Sequence, residues 1–393
     1  MKWNNKGHEF DAIGYKLNNK KKLFLYGLGG YAEEIYTILS FAKEYFPWEI
    51  FYVDGDIEKQ KNGWNSNRVI GLNDMLKLYT PDSFVIDAPL EQNSGKEIYE
   101  LLIKNGIAEQ DIFYGEYFLF DYLPIYFAYI KDMVFFTSES VLPSTICNLK
   151  CRDCLNFTPY IKKHKVFSLK EMKKSIDVFF NAVDLIYRFQ ITGGEPFLYK
   201  DINELIEYIY EQYGNKIIRY EIVCNGMKVP DDNTCKILHD CGVYVIIDDY
   251  RMSQGETYEI NRKKTINQFQ KYDIKYLSNT VDEWFRIYTP ENLPQKKSAE
   301  ELCQLFSKCH NPWSTIHGTT IAACNYSLYA WKAGLTEWQD GDYYDLANFE
   351  KNKKKELIEF RLGYNKKGFV SFCKTCNGYC RINPPCCRAA IQV

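Results

Sequence analysis

The chain has 393 residues, of which 46% are hydrophobic and 25% charged, as is typical of a globular protein with about two or three domains. Its 49 Lys and Arg nearly balance 51 Asp and Glu, for a formal net charge of −2, so neither nucleic acid nor an anionic membrane is expected as its main partner. We find no run of about 18 apolar residues that would span a membrane and no apolar signal core at the start of the sequence. A cytoplasmic protein is therefore expected.

A nucleotide-binding pattern opens the chain. A short apolar strand is followed by Gly27, Gly29 and Ala32 in the order G-x-G-x-x-A, and then by a helical periodicity. The next predicted strand ends at Asp54, near where a dinucleotide-binding fold places its ribose ligand. Gly27, Gly29 and Asp54 are therefore candidate nucleotide-binding residues. The glycines could equally serve only a tight strand-to-helix turn, and that alternative stays open.

Strands and helices alternate through this first region, which predicts a parallel sheet. We expect a Rossmann-like domain of the nucleotide-binding type at residues 21–130, preceded by an N-terminal extension at residues 1–20. The region is similar to the small Rossmann-like domains attached to sugar-modifying and polysaccharide-assembly enzymes. This similarity implies a sugar or a nucleotide-linked sugar as the substrate.

A second series of strands and helices covers residues 131–298. Ser168 and Glu171 have the spacing of a capping box at the start of one of its helices. Repeated β/α units predict a parallel barrel, here a partial (β/α)6 barrel. Residues 299–393 are rich in loops and Cys, so we expect a small domain that needs a metal centre to hold it together. The predicted fold class is therefore α/β, with three domains.

Three of the 14 Cys form a C-x3-C-x2-C motif, namely Cys147, Cys151 and Cys154. Thiols stay reduced in the cytosol, so clustered Cys indicate metal binding or redox chemistry rather than disulfides. Three thiolates on one short loop can hold three irons of a [4Fe–4S] cluster and leave the fourth iron open to another ligand. A zinc site is the alternative, but structural zinc takes four protein ligands.

Two further sequences follow predicted strands. A Gly-Gly-Glu-Pro sequence at residues 193–196 would let the backbone approach a ligand closely, and its carboxylate, Glu195, could receive a substrate ammonium. Taken alone, this sequence is more typical of an ordinary turn, but its position one β/α unit after the Cys motif favours a ligand site. Asn225 and Gly226 end the next strand, where a barrel places ligand-binding residues.

The Cys motif and the Gly-Gly-Glu-Pro sequence together resemble the radical SAM superfamily, over about residues 133–250. The resemblance implies a [4Fe–4S] cluster on Cys147, Cys151 and Cys154. It also implies a set of contacts to S-adenosylmethionine: Gly193, Gly194, Glu195, Pro196, Asn225 and Gly226.

The chain departs from the family pattern at two positions. Asp153 stands where an aromatic residue is common, and Cys224 replaces a Thr. The chemistry that the resemblance implies is reductive cleavage of S-adenosylmethionine to methionine and a 5′-deoxyadenosyl radical, which takes a hydrogen atom from the substrate. A protein of the flavodoxin or ferredoxin type is the expected reductant.

A second set of Cys lies in the last third of the chain. It resembles the auxiliary-cluster regions called SPASM and twitch domains. The resemblance implies a second, fully ligated [4Fe–4S] cluster on Cys309, Cys324, Cys373 and Cys376, with Cys303 as an alternative ligand. Four thiolates suit zinc equally well, so a zinc site stays open. One auxiliary cluster is favoured over two because the spacing of three further Cys does not fit a full SPASM domain: Cys380, Cys386 and Cys387.

The remaining candidates bear on the outcome of the reaction. Cys235 and Cys241 have the character of small buried residues, but a radical epimerase would need such a thiol as hydrogen donor. Asp248, Asp249 and Tyr250 end a predicted strand at the rim of the barrel, where they could bind substrate hydroxyls or simply face solvent.

These observations predict a radical SAM enzyme of the oxidoreductase type that acts on a small molecule. The expected substrate is a carbohydrate or a nucleotide-linked sugar, and the expected outcome is oxidation or epimerisation. The Cys set in the last third of the chain favours oxidation, because a fully ligated cluster can accept an electron. Two alternatives stay open: a radical SAM maturase of a ribosomal peptide, and a non-catalytic metal-binding scaffold.

Overall fold

A computed structural model describes residues 6–90, 92–289, 297–309, 311–365, 367–379 and 382–393. The chain forms two compact units, Asn5–Thr137 and Ser138–Val393. The first unit includes residues 21–130, for which the sequence predicts a Rossmann-like domain, and those bounds stay a prediction. The second unit combines the expected barrel with the Cys-rich region after residue 298, because strands of both regions belong to one sheet.

The first unit is built on a five-stranded sheet in the order β3-β2-β1-β4-β5, with parallel pairing throughout. This order, which reverses direction between β1 and β4, is that of a Rossmann-type sheet, so the predicted parallel sheet is confirmed. The strands are β1 (Lys22–Tyr26), β2 (Glu49–Val53), β3 (Val69–Ile70), β4 (Ser83–Asp87) and β5 (Ile112–Tyr114). The helices are α1 (Lys6–Asn18), α2 (Tyr31–Phe41), α3 (Ile57–Asn62), α4 (Leu72–Leu78), α5 (Gln92–Lys104), α6 (Gly115–Tyr117) and α7 (Leu123–Ile130).

Helix α1 lies in the segment expected to be an N-terminal extension. Phe10 and Leu17 on this helix are fully buried, and α1 packs against α7. Trp48 donates a hydrogen bond from its indole N–H to the Leu17 carbonyl at 3.0 Å. The segment is therefore part of the hydrophobic core of the first unit, and burial of such large apolar side chains stabilises it.

The second unit contains an eight-stranded sheet in the order β10-β9-β8-β7-β6-β12-β13-β14. Strands β7 to β10 pair in parallel, β12 pairs in parallel with β6, and β13 and β14 extend the sheet in antiparallel fashion. The next strand after β10 in this sheet, β12, therefore lies between β6 and β13, away from β10. The strands are β6 (Phe135–Val141), β7 (Leu185–Ile191), β8 (Ile217–Cys224), β9 (Tyr244–Asp249), β10 (Tyr276–Thr280), β12 (Thr315–His317), β13 (Thr320–Ala322) and β14 (Tyr343–Asp345), while β11 (Glu283–Trp284) and β15 (Cys387–Arg388) form a separate pair.

Helices connect the parallel strands of this sheet. Helix α8 begins with the predicted capping box, because Ser168 Oγ accepts the Glu171 N–H at 3.3 Å and Glu171 Oε2 accepts the Ser168 N–H at 2.8 Å. Its buried face contains Met172, Ile176 and Phe179. No described helix combines the length and apolar character needed to cross a membrane. The helices are α8 (Leu169–Ala182), α9 (Ile202–Tyr213), α10 (Asp232–Asp240), α11 (Glu256–Lys271), α12 (Ala299–Lys308), α13 (Asn325–Lys332) and α14 (Lys354–Arg361).

Candidate active site

A cavity of about 520 Å³ lies where the loops that follow β6, β7 and β8 meet. Parallel strands place their carboxyl ends at one edge of a sheet, so side chains far apart in sequence come together there. The structure brings six of the nine residues predicted to bind the cluster or S-adenosylmethionine to this cavity. These six are Cys147, Cys151, Cys154, Gly193, Gly194 and Asn225, and the predicted rim residues Asp248 and Tyr250 line the cavity as well.

The three Cys of the motif all line the cavity and all have hydrogen-bonding neighbours. The Leu149 N–H lies 3.4 Å from Cys147 Sγ, and the Gln392 Nε2–H lies 3.3 Å from Cys151 Sγ. Burial raises the pKa of the Cys147 thiol to about 12 and that of Cys151 to about 11, so these thiols stay protonated until a metal displaces the proton. Three sulfur ligands with N–H donors around them fit a [4Fe–4S] cluster that has one open iron.

A single metal ion fits these residues less well. A tetrahedral zinc ion holds its ligands about 2.3 Å away, so its thiolates converge on one point. Among the described residues, no group of three or more His, Cys, Asp or Glu side chains converges in this way. A [4Fe–4S] cluster at Cys147, Cys151 and Cys154 stays the prediction for these residues.

The Gly-Gly-Glu-Pro loop packs directly on the segment that leads into the Cys motif. The Gly194 N–H donates to the Ser144 carbonyl at 3.0 Å, and the Glu195 N–H donates to the Ile146 carbonyl at 2.8 Å. A Cβ atom on Gly194 would lie 1.9 Å from the Ile146 oxygen, and one on Gly193, where φ is +151°, would lie 2.6 Å from the Ser144 oxygen. Only glycine permits this approach.

Replacement of Gly194 by Ala is therefore expected to push the two loops apart. We expect a loss of about 1–3 kcal/mol of unfolding free energy from overpacking and a fall of about a hundredfold in S-adenosylmethionine cleavage from misplacement of the site. Thermal unfolding and the rate of 5′-deoxyadenosine formation measure the two effects. Gly255→Ala is the matched control, because a Cβ there meets nothing within 4 Å. Equal behaviour of the two variants would contradict the prediction.

Glu195 occupies a different place from the one expected of an ammonium ligand. Its carboxylate is 1% exposed and accepts the Phe197 N–H at 3.2 Å and the Asn225 N–H at 2.9 Å. Neither Glu195 nor Pro196 is among the described residues that line the cavity. Burial raises the pKa of Glu195 to about 7. The carboxylate thus connects the loops after β7 and β8, and the backbone of Gly193 and Gly194 faces the cavity in its place.

Asn225 and Gly226 connect the β8 loop to its neighbours. Asn225 Nδ2 donates to Asn148 Oδ1 at 2.8 Å, inside the Cys motif, and Asn225 Oδ1 accepts the Met227 N–H at 2.9 Å. Gly226 has φ +72°, and a Cβ there would lie 2.9 Å from Ile247 Cγ2 on the next strand. The loop therefore combines close packing with one polar side chain, Asn225, on the cavity wall.

Asp153, one of the departures from the family pattern, has a structural partner. Its Oδ1 accepts Arg286 Nε–H at 2.8 Å, and its Oδ2 accepts Arg152 Nε–H at 3.2 Å. These charge-assisted bonds hold the Cys loop against the segment that contains Arg286. An acidic residue at this position therefore replaces aromatic packing with an ion pair.

The four predicted auxiliary Cys lie close enough for their thiols to interact electrostatically. The Tyr379 N–H lies 3.3 Å from Cys309 Sγ, the Gly378 N–H lies 3.2 Å from Cys376 Sγ, and Asn311 Nδ2 lies 3.4 Å from Cys324 Sγ. Cys324 occupies the N-cap position of α13, and burial raises the pKa of its thiol. Four thiols with N–H donors fit a fully ligated cluster. The set is Cys309, Cys324, Cys373 and Cys376.

Cys303, Cys386 and Cys387 have other contacts or face solvent. The Cys303 thiol donates to the Lys367 carbonyl at 3.3 Å, and Cys387 donates to the Trp284 carbonyl at 3.2 Å. Cys386 is exposed, while Cys380 lies outside the described residues. The expectation of one auxiliary cluster stays a prediction, and the alternative of Cys303 as a ligand receives no support from its contacts.

The cavity and the auxiliary Cys set share part of one wall. Asn325, Tyr326 and Tyr379 all line the cavity. Asn325 Oδ1 accepts a hydrogen bond at 2.8 Å from Asn311, the residue that also contacts Cys324. The Tyr379 N–H lies 3.3 Å from Cys309 Sγ, and Tyr326 follows Cys324 by two residues on α13. A single layer of residues therefore separates the cavity from the auxiliary set.

The two candidate hydrogen donors lie elsewhere. Cys235 is fully buried within α10 and Cys241 is 7% exposed at the end of this helix. Neither is among the described residues of the cavity wall, whereas Cys224 is. The positions of Cys235 and Cys241 fit the role of small buried residues, and do not favour the hydrogen-donor role that the sequence left open.

The sequence patterns did not point to Arg188, a polar residue on the cavity wall. Arg188 bonds to Glu221 at 3.0 and 3.2 Å and lies 4.7 Å from the Trp313 ring centre. Asp248, which the sequence did place at the rim, lines the cavity and accepts the Tyr250 hydroxyl at 3.3 Å. Burial raises the pKa of Asp248 to about 6. Opposite charges on the neighbouring buried strands β7 and β8 were the available signal for the Arg188–Glu221 pair.

Asp54 and Gly27, two of the predicted nucleotide-binding residues of the first unit, make contacts within their own neighbourhood. Asp54 Oδ2 accepts the Leu28 N–H and Lys59 Nζ, each at 2.8 Å. Gly27 has φ +81°, and a Cβ there would lie 2.8 Å from Pro89, whereas a Cβ on Gly29 would meet nothing within 4 Å. The Asp54 carboxylate is thus already bonded to its own loop, which differs from the expected ribose contact. A bound nucleotide at Gly27, Gly29 and Asp54 stays a prediction.

Comparison with known proteins bears on the second unit. Residues 141–269 match the family model of the Radical SAM superfamily. An uncharacterised protein of Methanocaldococcus jannaschii is 28% identical over 157 residues, 38% of this chain and 51% of that protein. A GTP 3′,8-cyclase of Mannheimia succiniciproducens is 32% identical over 89 residues, 22% of this chain and 25% of that enzyme. The chain therefore spans about half the length, or less, of these curated relatives.

A solved structure, BtrN in complex with AdoMet and 2-DOIA, is 14% identical with a TM-score of 0.37, over 62% of this chain and 93% of that chain. The identification rests on the family model, whose matched segment contains the three-Cys motif, the Gly-Gly-Glu-Pro sequence and the Asn225-Gly226 pair. A [4Fe–4S] cluster and S-adenosylmethionine are the cofactors of this family. The comparisons therefore place a radical SAM domain at residues 141–269 of this chain.

Proposed function

We propose that this protein removes a hydrogen atom from a small hydroxylated substrate, a carbohydrate or a nucleotide-linked sugar, and completes a two-electron oxidation. The observation that carries the proposal is the wall shared by the cavity and the auxiliary Cys set, formed by Asn325, Tyr326 and Tyr379. A reductant of the flavodoxin or ferredoxin type would deliver the first electron.

Different residues around the cavity would hold the cluster and S-adenosylmethionine. When bound, the reduced cluster and S-adenosylmethionine supply the 5′-deoxyadenosyl radical that takes the substrate hydrogen. Cys147, Cys151 and Cys154 would hold the cluster through their thiolates. The backbone of Gly193 and Gly194 lies beside them and would receive the methionine end of S-adenosylmethionine. The buried Glu195 carboxylate accepts hydrogen bonds from the loop after β7 and from the loop after β8, and so holds the two loops together.

Oxidation requires an electron acceptor close to the substrate. Conversion of an alcohol to a carbonyl compound removes one hydrogen atom, and then one electron and one proton. A fully ligated cluster on the auxiliary Cys set would supply that acceptor, one layer of residues from the cavity. Epimerisation would instead need a thiol hydrogen donor, and outside the three-Cys motif the described cavity wall offers Cys224 alone.

The character of the cavity supports a small substrate whose reacting part is uncharged. Its volume of about 520 Å³ is in the range of small-molecule sites. Arg188 is the one cation on the described wall, and it pairs with Glu221, which also pairs with Arg219. Aromatic faces that can pack on a sugar ring stand on the wall: Trp284, Phe285, Trp313, Tyr326, Tyr329 and Tyr379.

The test is an anaerobic reaction in D₂O with dithionite, S-adenosylmethionine and a panel of monosaccharides, amino sugars and nucleoside-diphosphate sugars. We expect one class to raise 5′-deoxyadenosine formation and to yield a product lighter by two hydrogen atoms, with no deuterium at carbon. A product that gains one deuterium at carbon would show epimerisation, and Cys224→Ser should then abolish it.

Two other results would overturn the proposed substrate class or the proposed enzymatic activity. Stimulation by peptides alone, with every sugar inactive, would favour a peptide maturase. Zinc without iron in the purified and reconstituted protein would favour a non-catalytic scaffold.

A further inference from the structure

Residues 391–393 form a short antiparallel bridge with the loop that contains the three-Cys motif. The Arg152 N–H donates to the Ile391 carbonyl at 2.7 Å, and the Val393 N–H donates to the Lys150 carbonyl at 2.9 Å. Cys151 and Gln392 face each other in this bridge. The cluster loop therefore has a paired strand segment on one side, although about 240 residues separate the two in sequence.

The side-chain amide of Gln392 both accepts and donates hydrogen bonds at this bridge. Its Oε1 accepts the Lys150 N–H at 2.6 Å, and its Nε2 donates to Cys151 Sγ at 3.3 Å. The Nε2 group also donates to the Ala390 carbonyl at 2.7 Å. These contacts fix the orientation of the amide, so that its N–H, rather than its oxygen, points at the sulfur.

The segment before Gln392 is anchored in the core of the second unit. Ala389 and Ala390 are fully buried, in an apolar cluster that also contains Leu149 and Cys151. The Ala389 N–H donates to the Asp282 carbonyl at 2.9 Å, and Gln254 donates from its side chain to the Ala390 carbonyl. Gln392 is itself exposed, so its position depends on these anchors rather than on its own burial.

We propose that Gln392 is a positioning residue for the radical SAM cluster: its N–H bond to the Cys151 sulfur stabilises the reduced cluster, and the segment 389–393 holds the cluster loop in place. The inference rests on the proposed cluster at Cys147, Cys151 and Cys154. Reduction adds negative charge to the cluster and its sulfurs, so an N–H donor favours the reduced form and raises the reduction potential. Pairing of the loop also slows its opening and hence the loss of iron.

The experiment is a redox titration of the reconstituted protein, followed by electron paramagnetic resonance. The signal that changes on addition of S-adenosylmethionine identifies the cluster with the open iron and separates it from any auxiliary cluster. We expect Gln392→Met to shift the midpoint potential of this cluster to a more negative value and to speed iron loss to a chelator about tenfold. Gln392→Glu keeps an acceptor for the Lys150 N–H, removes the donor and is expected to shift the potential in the same direction.

Gln254→Met is the matched control, because it makes the same chemical change in a side chain that contacts the same segment but no sulfur. Its potential is expected to equal that of the wild type. Equal potentials and equal iron in Gln392→Met and the wild type would overturn the inference and leave the proposed function intact. Equal shifts in Gln392→Met and Gln254→Met would also overturn it, because segment packing would then explain the effect. A wild-type protein with no signal that responds to S-adenosylmethionine would overturn the proposed function, and this inference with it.

Discussion

Each of the substitutions Cys147→Ala, Cys151→Ala and Cys154→Ala is expected to reduce 5′-deoxyadenosine formation to the background of a reaction without protein. Three thiolates are the minimum that holds a [4Fe–4S] cluster with one open iron, so loss of any one removes the site for S-adenosylmethionine. The measurement is product formation after anaerobic reconstitution with iron and sulfide, with dithionite as reductant. The fold should persist, because the Cys loop lies outside the strands of the sheet.

Cys303→Ala is the matched control for this series. Its thiol donates to the Lys367 carbonyl and is not among the described residues that line the cavity, so the variant is expected to cleave S-adenosylmethionine at the wild-type rate. Circular dichroism of all four variants separates a lost cluster from a lost fold. Wild-type turnover by any variant of the three-Cys motif would refute the assignment of its ligands.

The double substitution Cys373→Ala and Cys376→Ala is expected to remove about four irons per chain and to stop product formation. The first cluster should remain, because its ligands lie on a different loop. Uncoupled 5′-deoxyadenosine should therefore still form, while the substrate radical finds no electron acceptor. Iron analysis and product analysis on the same sample test both parts.

The exposed residue Cys386 provides the control for this pair, and Cys386→Ala is expected to keep the full iron content and full activity. Unchanged iron and full product in the Cys373→Ala and Cys376→Ala protein would show that the pair binds no iron–sulfur cluster. Loss of zinc rather than iron in that protein would restore zinc as the metal of the auxiliary site.

Local patterns predicted much of the architecture. Alternating strands and helices predicted the parallel sheets, and the Ser168–Glu171 spacing predicted the start of α8. These features depend on residues close in sequence, so the sequence can reveal them. The partner of β12 could not be predicted in this way, because its pairing with β6 joins residues far apart in the chain. Likewise, α1 became part of the core only through its contact with α7.

The roles of individual site residues were harder to predict. Glu195 has the chemistry of an ammonium ligand, but its orientation depends on the loop after β8, whose N–H at Asn225 binds the carboxylate. Asp54 likewise binds Leu28 and Lys59 of its own neighbourhood. A carboxylate that can satisfy nearby backbone N–H groups in a buried site does so, because leaving those groups unpaired is costly.

The sequence by itself determined that three Cys thiols share one short loop, because the spacing of Cys147, Cys151 and Cys154 puts them there whatever the rest of the chain does. The Gly-Gly-Glu-Pro loop could likewise be predicted from residues adjacent in sequence. Only the tertiary structure decided which residues surround that chemistry. It brought Gln392 to the Cys151 sulfur and set Tyr379 between the cavity and the auxiliary Cys. Such contacts arise from packing between distant segments, and no local sequence pattern encodes them.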